Sequence, residues 1–232
     1  PAEGLAWMDV RAPYWSDPQC NNRVHIWWHK ALFHIELGQH EVALALYDGE
    51  ILSAMRPIGT QLCNATSLLW RLETLGCEAG ERWPRQLALW QQQLNGMSSP
   101  FNEIHAAMAA LRAGHRAVFD TVLDGMRRAA AADSELVPAY RDVAIPVAQA
   151  MACFVDADYA GAVNGLLGVQ AELWRMGGSV AQRDLVEWTL AVAAIRAGQQ
   201  HVALSLVNQR LALRPHSSVN HRFAREAEAA RV

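Results

Sequence analysis

Apolar residues recur along this chain with a helical period. After Arg23, Val24, Trp27, Trp28, Ala31, Leu32 and Ile35 fall at i, i+3, i+4, i+7, i+8 and i+11, one wide apolar stripe on a helix. Gly38 follows where a helix commonly ends in a left-handed residue. Ala43, Leu46, Tyr47, Ile51 and Ala54 then share one face of a second helix. The stretch predicts a helical hairpin with a very short turn. No segment alternates apolar and polar residues for long, so the pattern predicts an all-α chain.

The hairpin recurs. Leu111 to Leu123 repeats it around Gly114, and Ile195 to Val207 around Gly198. Phe154 to Leu167 repeats it with Ala157 in the glycine slot, and Cys77 to Trp90 is a looser copy around Gly80. The turn positions 38, 80, 114, 157 and 198 lie 42, 34, 43 and 41 residues apart. A repeat of that length is the mark of an α-α superhelix, a solenoid of antiparallel helix hairpins.

Helix punctuation agrees with the repeat. Ser99-Pro100 reads as an N-cap with proline at the first helical position. Ser179 and Gln182 match a capping box, and Gly177-Gly178 ends the helix before it. Pro146 reads either as a first-turn residue or as a kink. Short connectors predict a single domain over residues 1–232. Within it, residues 1–15 read as a partial leading repeat, a second helix without its partner. Residues 217–232 read as a C-terminal capping helix with a polar outer face.

Composition narrows the function classes. Apolar residues make up 52% and charged residues 19%, which suits a packed core. Net charge is −3 with no basic stripe, which argues against nucleic acid as a partner. No apolar run approaches the roughly 18–20 residues of a membrane helix. The first ten residues lack the basic and apolar regions of a signal peptide. Cys20, Cys63, Cys77 and Cys153 fit no zinc spacing and read as reduced thiols, which suggests the cytoplasm.

The stretches LGQHEVALALYDGEI and AGQQHVALSLVNQRLALRP resemble the tetratricopeptide pattern. Each has a glycine turn and an alanine five residues later (Ala43, Ala203). An aromatic or apolar residue follows four further on (Tyr47, Val207), and Pro215 closes the repeat. HIWWHKALFHIELG, NATSLLWRLE, FNEIHAAMA and LWRMGGSVAQRDLVEWTL more closely resemble the C-terminal half of the tetratricopeptide repeat protein 38 family. The resemblance covers most of the chain and implies a helical solenoid. It implies little about activity, because the family's biochemical role is poorly defined. Val180 departs from the pattern, standing where the family has a histidine.

On the tetratricopeptide frame the first helix of each repeat lines a concave face. That implies His25, Trp28, Leu32, Ile35 and Glu36 in the groove, with His29 alongside. It adds Arg112 and His105 from the third repeat, and Trp188 and Arg196 from the fifth. The expected ligand contacts are His25, Trp28, Glu36, Arg112, Trp188 and Arg196. His29, His105 and Asp184 are the candidate catalytic groups. His25 and His29 have the i,i+4 spacing of a shared metal, with Glu36 or His105 as a third ligand. The plainer reading makes these packed interior histidines: no H-E-x-x-H and no activated serine or cysteine occurs, and no cofactor is implied. Trp70, Trp83, Trp90 and Trp174 read as packing residues.

Two functions follow. The first is a scaffold holding a peptide or protein partner in the groove, with Trp and Arg as anchors. The alternative is an enzyme or a small-molecule or metal-binding protein with a histidine-rich site inside the shell. No nucleic-acid or membrane partner is expected, and a homo-oligomer is possible.

Overall fold

The computed structural model describes residues 1–94 and 99–229. Every regular element among them is helical. In chain order they are α1 (Ala2–Trp15), α2 (Arg23–Glu36), α3 (His40–Leu46, running on through Tyr47–Ile51 and Leu52–Ala54), α4 (Gly59–Thr74) and α5 (Arg82–Gln91). Then come α6 (Pro100–Arg112), α7 (Arg116–Ala130) and α8 (Val137–Ala139, Tyr140–Ala144 and Ile145–Val155). After α9 (Tyr159–Leu167) a 3-10 segment, Gln170–Met176, leads to α10 (Val180–Arg196), α11 (Gln200–Leu213) and α12 (Ser218–Ala229). The chain is all-α. No described helix is long and apolar enough to cross a membrane.

The turns stand where the repeat puts them. Gly38, Gly80, Gly114 and Gly198 all have positive φ, and so does Ala157, at 61°. Ala157 is the one non-glycine residue with positive φ among the described residues. The loop therefore imposes the left-handed conformation even where a side chain resists it. The capping box forms: the Ser179 hydroxyl accepts from the Gln182 amide at 3.4 Å, and Gln182 Oε1 accepts from the Ser179 amide at 2.9 Å.

Pro146 sits inside a continuous helix, two residues past a π turn over Tyr140–Ala144. A proline lacks the amide that would close the preceding turn and crowds its carbonyl. The wider π turn absorbs both, so the helix continues rather than breaks.

α4 and α6 are buried on nearly every side, while α5 and α7 bury one face each. α4 packs on α2, α6 and α10, and α12 packs on α2, α10 and α11. Helices from the two ends of the chain thus meet. The Trp70 indole on α4 donates to Thr189 on α10 at 3.0 Å, and the Trp188 indole donates to Thr74 at 2.8 Å. At the other end Ser217 donates to Glu36, and Arg222 donates to the Leu75 carbonyl.

α1 lies against α2, where Gly4 admits the Phe33 ring: a Cβ there would come within 2.8 Å of it. Its opposite face turns Trp7, Val10 and Tyr14 outward. The C-terminal helix begins at Ser218, one residue later than the sequence implies, and residues 230–232 lie outside the described part. Trp70, Trp83 and Trp90 are core residues, but Trp174, on the 3-10 segment, is 62% exposed, with the Arg175 guanidinium over its ring.

Candidate functional site

The site begins with the helical register of α2. His25 and His29 lie one turn apart and bring their Nε2 atoms to 3.2 Å. One must donate and the other accept. His25 stacks on Trp28, with ring centres 5.3 Å apart, and its Nδ1 is 3.4 Å from Asn64 Oδ1 on α4. Gln182 on α10 donates to the same oxygen at 3.2 Å. Three helices thereby fix one imidazole pair. Burial, helped by the neighbouring His25, lowers the His29 pKa to about 4. His29 is therefore neutral at ordinary pH.

Two turns further along α4, and two residues beyond Gln182 on α10, lies a group of charges. Asp184, the fifth residue of α10, is 7% exposed. Arg210 donates to it at 2.8 Å, Arg214 also donates to it, and Arg71 stands 3.7 Å away. Burial opposes the carboxylate charge, but Arg210, Arg71 and Arg214 outweigh it and hold the pKa below the usual aspartate range. Arg71 is 2% exposed; burial pulls its pKa to about 10, against the attraction of Asp184, so it stays charged. Its guanidinium lies 6.0 Å from the Trp28 ring and 5.7 Å from Trp188, and donates to the Ser67 and Ala181 carbonyls. Cation-π contact and amide carbonyls replace the water that a buried arginine loses.

His29, Leu32, Phe33, Ile35, Glu36, Arg71, Ala181, Asp184, Trp188 and Arg214 line one cleft of about 220 Å³. α2 contributes Leu32, Phe33 and Ile35 beside His29 and Glu36, and α10 contributes Ala181 and Trp188 beside Asp184. Such a mixed concavity is the usual form of a small-molecule site.

The expected groove residues divide between this cleft and other places. His29, Glu36, Trp188 and Asp184 line the cleft, while Trp28 is wholly buried and donates its indole N–H to Ser67. Trp188 is 4% exposed, so neither tryptophan forms a wall of an open groove. Arg112 pairs with Glu73, and Arg196 donates to the Thr74 carbonyl beneath Phe154 and Tyr159. Both arginines line a separate space of about 30 Å³ at the C-terminal ends of their helices. His105 is buried apart from the other two: its Nδ1 is 2.8 Å from the Phe101 carbonyl and donates to it, which leaves Nε2 without a partner. Burial lowers its pKa to about 4 as well.

The third metal ligand does not arrive. Glu36 turns its carboxylate to the Ser217 hydroxyl, and His105 faces Phe101. Among the described residues no three His, Cys, Asp or Glu side chains gather as a ligand set. Sequence reasoning missed Asn64, Arg71, Gln182, Arg210 and Arg214. The first two carry a legible signal: Asn64, Ser67 and Arg71 form a polar line at i, i+3 and i+7 on α4. Comparison with family models and with solved structures gives no match for this chain.

Proposed function

We propose that this chain is a tetratricopeptide-like helical shell, akin to the tetratricopeptide repeat protein 38 family, that binds a small molecule between α2, α4, α10 and the end of α11. One observation carries the reading. His29 and Glu36 from α2, Arg71 from α4, Asp184 from α10 and Arg214 after α11 converge on a single cleft that Leu32, Phe33, Ile35 and Trp188 also line. Converging polar groups in a concave, partly dry space are what ligand recognition needs.

The scaffold reading has less support. A peptide groove needs accessible anchors along several repeats. Trp28 and Trp188 instead bond inward, to Ser67 and Thr74.

Fragment screening by ligand-observed NMR tests the reading. Ala181→Phe would fill the cleft from the α10 side. We expect fragments that bind the native chain and are lost in this variant. Binders that all persist in Ala181→Phe, or no binders at all, would remove the cleft as the site.

A further inference from the structure

The imidazoles of His25 and His29 converge toward their tips. Side chains four residues apart leave a helix with their Cβ atoms about 5–6 Å apart. Here the ring centres stand 4.6 Å apart and the two Nε2 atoms 3.2 Å. The rings therefore lean together as they leave the helix. Two imidazoles pointing head-on at one shared proton would keep their centres about 5.5 Å apart at this hydrogen-bond length. Two nitrogens each about 2.0–2.1 Å from one ion, at an angle of about 100°, stand about 3.1 Å apart. The observed pair matches the second arrangement.

The surroundings prepare His25 for such a role. Its Nδ1 lies 3.4 Å from Asn64 Oδ1, and Gln182 donates to the same oxygen. That oxygen is an acceptor, so the His25 ring proton belongs on Nδ1 and the Nε2 lone pair is left toward His29. A carbonyl oxygen behind the ring is how metal-bound histidines are usually oriented. Trp28 stacks on His25 and meets His29 edge-on, with ring centres 4.6 Å apart, which restrains both rings. Burial keeps His29 neutral at ordinary pH, so an ion meets no imidazolium there.

We propose that His25 and His29 chelate one divalent transition-metal ion through both Nε2 atoms. The ion displaces the proton between them, which passes to His29 Nδ1. Imidazole nitrogen suits nickel(II), copper(II) and zinc(II), whereas magnesium and calcium need oxygen. Among the described residues no third His, Cys, Asp or Glu side chain joins the pair, so water or a small ligand completes the coordination. His29 lines the cleft, and the open positions are reached from it. Arg71 and Arg214 are balanced there by Asp184 and Glu36, so the cleft as a whole does not repel a cation. The site goes beyond the small-molecule role: the ion binds whether or not an organic ligand follows.

Calorimetric titration of the untagged full chain with nickel(II), and with magnesium beside it, is the test. One nickel ion per chain should bind, and magnesium should not. His25→Gln and His29→Gln should each weaken nickel at least about tenfold. Both side chains are only partly buried, so each variant should keep the native circular dichroism. His34→Gln, on the same helix, should leave nickel binding unchanged, because His34 turns to Gln39. Copper(II) on the unaltered chain should show two imidazole nitrogens by electron paramagnetic resonance, a readout that needs no variant. No nickel binding by the folded chain, binding that persists in both His25→Gln and His29→Gln, or a copper spectrum with one nitrogen would overturn the chelate. Magnesium binding as tightly as nickel would overturn it too.

Discussion

His29 and Asp184 are opposite cases of buried polarity. His29 escapes the cost of burial by staying neutral, while Asp184 keeps its charge by gathering arginines. For His29 and His105 the folded pKa is about 4 against 6.5 for the free side chain. The unfolded chain takes up these protons first, so they lower stability as pH falls from 6.5 toward 4 and have no effect above it. Imidazole NMR signals of both residues should show no titration above about pH 5.5. Asp184→Asn would leave Arg71 and Arg210 buried without a counter-charge. Urea denaturation should show a loss of about 3–5 kcal/mol. The same change at exposed Asp124, which pairs with Arg127 on α7, should cost less than about 1 kcal/mol.

At the scale of the element, the turn residue sets the hairpin and the helices follow from their apolar stripes. Ala157 tests this. Its φ of 61° places a Cβ where glycine serves at the other turns. Ala157→Gly should therefore stabilise the protein by about 1 kcal/mol, read as a raised denaturation midpoint with an unchanged slope. Pro146 shows the limit of local reading. A proline inside α8 is legible as a helix perturbation. That a π turn just before it keeps α8 continuous depends on Tyr140, Val143 and Ala144 being held in the core.

At the scale of the molecule, contacts between distant helices couple α4 to α10. Thr189→Val would leave the buried Trp70 indole without its acceptor. It should cost about 1–3 kcal/mol. A purely nearest-neighbour array would confine that loss to the fifth hairpin. Here hydrogen exchange should accelerate in both α4 and α10, and not in α7, which packs chiefly on α6 and α8.

The sequence by itself determined the helices, their turns and their order. Apolar periodicity and left-handed turn residues act within one or two turns of chain, so their signal is local. The i,i+4 pairing of His25 and His29 is local too, and it was legible for that reason. Tertiary structure alone decided which faces meet. It buried Trp28 and Trp188, sent Arg112 and Arg196 to another space, and turned Glu36 toward Ser217. It also gathered Arg71, Arg210 and Arg214 around Asp184, side chains up to 143 positions apart in the chain. No local pattern encodes that cluster, because its energy arises only when the helices dock and exclude water from the charges.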